Sequence, residues 1–460
     1  MERVRRLLSG GCIQGMTLLL ASVLLAAPAV HAQYETKPID EAAKRYGGSR
    51  AKRYARNPTG VEADRTGFGN YIRGVYLASM TQFDAESLAD LGKLRYDYMR
   101  NYLWAAAPSV QQDLTRLTFT EMSQVIRDNY HPAVKYNAML LIGELDATYA
   151  TQTTGSVPMP EANKLLTDYV NGGVDTARAP APLIVGALVG LERHAKSLEA
   201  LPAANRGPTA AALLKVLEKD SFPQDLSPSV SQWIKVIAAR GLANIGVLGD
   251  GNRVHNAMFK MIGDEKARLN TRVRVAELLD MYKNAYGSAT GLNEQETVQT
   301  LLQLATDIAS DEEERAIKYE DEMLGGMGGM RMGSGRGGGF GFGGGGEIEL
   351  PDEYQRRRLV LRLTGLKKGV EAVKPAIKDQ RFAGLLDEVL TAIEPVLNRA
   401  TEENLILLNL VTDVKQMSST IATASASLGV EAVDAPPESE EEAAELLQEE
   451  EAAEAAEPAN

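Results

Sequence analysis

The sequence predicts an all-α protein built from stacked antiparallel helix pairs, and three observations carry that prediction. Between residues 76 and 415 apolar side chains recur at helical spacing. Short clusters of Pro, Gly, Asn and Asp interrupt them at fairly regular intervals. The aromatic and β-branched alternation that marks strands is missing, aromatics being only 6% of the chain.

The first 32 residues stand apart from this pattern. Arg3, Arg5 and Arg6 precede a short apolar core, Met16 to Ala27, and Val30 and Ala32 occupy the two positions that a signal peptidase reads. Residues 1–32 are therefore expected to be a signal peptide cleaved between Ala32 and Gln33, sending the protein to the periplasm, the cell envelope or the exterior. That core is shorter than the roughly 20 residues that a spanning helix needs, and no second apolar segment reaches that length. Cys12, the single cysteine, falls inside the leader. Disulfides, thiolate metal sites and cysteine nucleophiles are thereby excluded from the mature chain.

Charge is distributed unevenly. The chain carries a net charge of -13, yet residues 416–460 contain twelve acids and no Lys or Arg, so the remainder is close to neutral. Residues 420–460 have too little apolar content to bury and are expected to form an acidic disordered tail. Residues 33–75 show the opposite bias, with Lys44, Arg45, Arg50, Lys52, Arg53 and Arg56 in "KRYGGSRAKRYARN". They are expected to form a basic, partly disordered arm. Such an arm is read either as simply solvated or as meeting an anionic partner: a membrane surface, a wall polymer or the chain's own tail.

The body over 76–322 is read from its punctuation. Asp84 to Ala107 and Val110 to Asp128 are expected helices, the second with Leu114, Leu117, Met122, Val125 and Ile126 on one stripe. A helix follows the His131-Pro132 turn. Three further pairs are expected: 162–170 with 180–196, 209–218 with 229–247, and 253–262 with 271–286. The second helices carry small residues, including Gly186, Ala187, Ala238, Ala239 and Ala276, that let helices approach closely. A fifth pair, 297–322 with 352–373, brackets a glycine-rich insertion over 323–350. Helices over 382–397 and 402–419 complete the body.

"HPAVKYNAMLLIGELD" resembles the second helix of a HEAT repeat, with its Pro, the β-branched residue two on, then Ala, Leu and a small residue. "SPSVSQWIKVIAARGLANIG" and "LNTRVRVAELLDMY" resemble it more loosely, and the resemblance spans roughly residues 110 to 286. The usual Asp-Pro start is absent, and the arginine of the second helix has only Lys135 or Arg272 as counterpart. The resemblance implies a HEAT-like α-α superhelix; an armadillo-like superhelix or an irregular bundle would satisfy the same pattern. It also implies binding of a protein or peptide along an extended face.

Signals for chemistry are weak. "GSGRGG", residues 333–338, matches the dinucleotide fingerprint by letters, but 14 of residues 325–346 are glycine and no strand precedes them. Arg331 and Arg336 are too few for a nucleic-acid segment. His131, His194 and His255 lie far apart without metal-ligand spacing. Trp104 and Trp233 fall in helical stripes and read as core. No catalytic, cofactor or metal residue is assigned and no cofactor is expected. The sequence thus favours an exported, non-catalytic HEAT-like scaffold or protein-binding module. The alternative is an envelope hydrolase or carbohydrate-associated protein with a site built from scattered carboxylates.

Overall fold

The computed structural model describes residues 34–176, 179–224, 226–328, 351–402 and 407–430. The predicted signal peptide with its Ala32–Gln33 cleavage site, most of the glycine-rich run and residues 431–460 of the acidic tail lie outside the described residues. Among the described residues the chain is all-α apart from one short ribbon, and it divides into two compact units, residues 1–138 and 139–460. A single body over 76–322 was expected, so the first unit takes in both the expected arm and the start of that body.

In the first unit Asp40 opens helix α1 (Glu41–Lys44) by accepting hydrogen bonds from the backbone N–H of Ala42 and Ala43 at 2.8 and 3.0 Å. Helices α2 (Gly48–Arg56) and α3 (Glu62–Tyr71) follow, and α3 runs on into a π-helical turn, Ile72–Leu77. The basic arm is therefore folded, a correction to the sequence reading. Its cause is the i, i+3, i+4 spacing of Ala51, Tyr54 and Ala55, which gives α2 a buried face hidden within a run of charges.

The helix expected over 84–107 is also broken. Asp84 caps α4 (Ala85–Ala89), accepting from Ser87 N–H at 3.0 Å; α5 (Leu91–Tyr98) then continues into a second π-helical turn, Met99–Leu103. Pro108 starts α6 (Pro108–Arg127), whose predicted stripe is buried at Leu114, Met122, Val125 and Ile126 and half-buried at Leu117. The core of this unit is aromatic: Tyr54, Phe68, Tyr98 and Tyr102 are buried beside Ile72, Leu77 and Met99. Helix α7 (Pro132–Gly143) crosses from the first unit into the second.

The second unit opens with the ribbon that the sequence reading missed, β1 (Asp146–Thr148) antiparallel to β2 (Val157–Pro158). Five helix pairs follow: α8 (Pro160–Asp175) with α9 (Ala181–Ala195), α10 (Ala203–Glu218) with α11 (Pro228–Ile245), and α12 (Arg253–Ile262) with α13 (Leu269–Leu278), then, after the short α14 (Lys283–Gly287), α15 (Glu294–Gly328) with α16 (Pro351–Val373) and α17 (Gln380–Ala400) with α18 (Leu407–Ala426). First helices pack in the order α8, α10, α12, α15, and second helices in the order α9, α11, α13, α16, making two rows.

Glycines let α7 approach α9 and let α13 approach α16 closely. A Cβ on Gly143 would lie 2.7 Å from the Gly190 Cα, and one on Gly369 would lie 2.8 Å from the Ala276 carbonyl oxygen. Helices α15 and α16 belong to one compact unit and pack on each other, as their apolar stripes predict. The last pair is inverted: α17 lies on α16 and α18 on α15, so its first helix extends the second row. Helix α18 buries Met417, Ile421 and Ala424, so the folded body extends past the expected 419 and includes the last turns of α18.

Candidate functional site

The six basic residues singled out in the sequence are distributed over α1, α2 and the turn between them, and all six are exposed. Lys44 pairs with Glu41 at 3.2 Å. Arg50 pairs with Asp64 and sits 4.6 Å over the Tyr46 ring. Thr59 and Arg50, both hydrogen-bonded to Asp64, hold its carboxyl below the usual carboxylate range. Arg45, Lys52, Arg53 and Arg56 have no ion-pair partner among the described residues. They leave a cationic strip on the outer side of α2.

Trp104 was expected in the core and is instead 50% exposed. Its N–H bonds to the Met99 carbonyl at 2.8 Å, closing the π-helical turn, and the wider turn shifts the helical phase so that Trp104 follows Tyr96 and Arg100 outward. Trp233 is half-buried, so only part of that expectation holds.

In the second unit a cleft of about 340 Å³ opens along α10, α11 and α12. Leu217, Ala257 and Met261 contribute apolar lining, and charges surround it. Asp220 is hydrogen-bonded by Lys260 at 2.6 Å, and that ammonium holds its carboxyl low. Lys235 also lines the cleft, half-buried; burial lowers its pKa, while Asp264 and Asp220 oppose the shift. A phosphate would meet three carboxylates, Glu218, Asp220 and Asp264, against two ammonium groups here. A peptide presenting one acidic side chain to Lys235 is matched better. Sequence reasoning passed over Lys235, whose signal was a single cation between Ile234 and Val236 in an otherwise apolar stretch.

Several further polar groups of the second unit are buried or largely so. Arg272 bonds Asp307 at 2.7 Å, and Arg362 bonds Asn270 and Glu312, each at 2.7 Å, tying α13, α15 and α16 together. Arg193 grips Asp146 through both carboxylate oxygens. His194 shares a 3.4 Å contact with Asn163, and His255 bridges Tyr286 and Thr297 at 2.9 and 3.2 Å. Burial lowers the two imidazoles to about 3 and about 4. His131 accepts from Ala133 N–H at 3.2 Å, a turn role consistent with its place before Pro132. Among the described residues no group of three His, Cys, Asp or Glu could hold a metal ion, and no helix is long and apolar enough to cross a membrane.

No protein-family model, curated protein or solved structure matches the chain.

Proposed function

We propose that the chain is an exported, non-catalytic scaffold of HEAT-like kind that binds a protein or peptide partner along residues 160–426. The observation that carries this reading is the double row: successive pairs pack in sequence order, the arrangement through which repeat proteins build extended binding faces. The engagement of Asp146, Asp307, Asp311 and Glu312 with arginines also supports a binding role, because a hydrolase needs carboxylates directed at a substrate. The cleft beside Lys235 is the proposed anchor point for an acidic side chain. The cationic strip on α2 is a separate surface for an anionic partner.

A displayed peptide library panned against residues 33–460 tests the scaffold. Selection should converge on a motif containing an acidic residue, and Lys235→Glu should weaken the selected peptide at least tenfold by reversing one close charge contact. Failure to converge, or binding indifferent to Lys235→Glu, refutes the reading. Export is tested separately by fusing a reporter that is active only outside the cytoplasm, with and without residues 1–32. Equal reporter activity from both fusions rejects the leader.

A further inference from the structure

We infer that the first unit carries a docking surface for an anionic phospholipid bilayer, formed by the cationic strip of α2 and the exposed Tyr96–Trp104 pair. The inference rests on the reading of α2 as an anion-binding surface and names what supplies the anion.

Helix α2 spends its apolar side on its own unit, where Ala51 and Ala55 are fully buried and Tyr54 nearly so. What remains outside is charge, from Lys52, Arg53 and Arg56, with Arg45 just ahead of the helix. The end of α2 is joined to the turn that follows the second π-helical segment: Ala55 accepts a hydrogen bond from Ala107 N–H at 2.8 Å, three residues after Trp104. The cations of α2 and the exposed indole therefore belong to adjoining segments.

The π-helical turn gives the aromatic pair its geometry. Residues eight apart on a straight α-helix are separated by about 12 Å along the axis. Tyr96 and Trp104 have ring centroids only 6.2 Å apart, at an interplanar angle of 82°. Both are about half exposed, and exposed Lys93 and Arg100 accompany them on the same helical segment. Val61, in the loop leaving α2, is 55% exposed.

Tyr and Trp rings settle at the headgroup level of a bilayer, and Lys and Arg are drawn to anionic lipid. A sugar or nucleic-acid base would instead need an open ring face on which to stack. The edge-to-face pairing of Tyr96 with Trp104 covers part of such a face with the neighbouring ring's edge. Rings that enter a headgroup layer edge-on have no such requirement.

The test uses residues 33–460 carrying Trp233→Phe, so that Trp104 is the sole tryptophan. Vesicles of phosphatidylcholine alone are compared with vesicles of equal parts phosphatidylcholine and phosphatidylglycerol. Co-sedimentation is expected with the mixed vesicles only, together with a blue shift of Trp104 emission. The triple variant Lys52→Gln, Arg53→Gln, Arg56→Gln should partition roughly 100-fold more weakly, from three juxtamembrane cations removed. Because all three side chains are exposed, its circular dichroism and thermal midpoint should match the parent. Equal partitioning of parent and triple variant, or vesicle binding without a Trp104 shift, overturns the inference. Binding to soluble polyglutamate without vesicle binding also overturns it while leaving α2 an anion-binding surface; loss of both removes that reading as well.

Discussion

Arg272 and Asp307 are each 1% exposed and meet at 2.7 Å, and Arg272 Nε also donates to the Ile262 carbonyl at 2.6 Å. Neutralising one partner strands the other charge in the core, which costs about 3–5 kcal/mol. Asp307→Asn should therefore lower stability by that amount in urea titration, and Arg272→Met with Asp307→Leu should recover much of the loss. A single variant that unfolds at the parental midpoint would show that the pair is dispensable. His194 and His255 act through pH. Their folded values of about 3 and about 4 lie below the ordinary 6.5, so the unfolded chain binds the extra protons. Their contribution is whole above pH 6.5 and is lost as pH falls toward 4, at up to about 1.4 kcal/mol per pH unit for each histidine. Replacing His255 with Gln should flatten the acid limb of a stability-against-pH plot by close to one proton; an unchanged slope would exclude the imidazole as its source. Neither the ion pair nor the histidine contacts were legible in the sequence, because their partners lie 31 to 42 residues away and nothing local specifies them.

At the scale of the element, the close approach of Gly143 to Gly190 predicts that Gly190→Ala costs about 1–3 kcal/mol through overpacking, since the added methyl would also meet Leu166 Cδ1 at 2.8 Å. Gly172→Ala, where a Cβ meets nothing within 4 Å, serves as the control and should not destabilise. Urea midpoints for the two variants check both statements. The small residues of the second helices were legible as a packing device because apolar periodicity identifies the inward face. Helix phase was less legible. A π-helical turn adds a residue without changing composition, so the stripe through residues 84–107 gave no warning that Trp104 would turn outward. In α2 the misleading feature was charge density: four cations concealed a three-residue apolar face, and a folded helix was read as an arm. The ribbon at Asp146 and Val157 escaped because two and three residues are too short to show alternation.

For the whole molecule, all-α class and helix pairing were legible because both follow from periodicity repeated over several hundred residues, whereas the division at residue 138 was not, since no Pro- or Gly-rich linker marks it and α7 runs through it. Truncation tests where the folded body ends. Removing residues 431–460 should leave the urea midpoint unchanged, whereas removing 416–460 should destabilise the second unit by several kcal/mol through loss of buried Met417, Ile421 and Ala424. Equal midpoints for the two truncations would place the final turns of α18 outside the core. The inverted last pair has an evolutionary consequence. Tandem duplication lengthens an array of helix pairs only where each unit offers its successor the surface it received from its predecessor. Helices α17 and α18 present the two rows in exchanged order. A whole pair could therefore be inserted without a mismatch of surfaces upstream of α17, whereas one added onto α17 and α18 would meet the two rows exchanged.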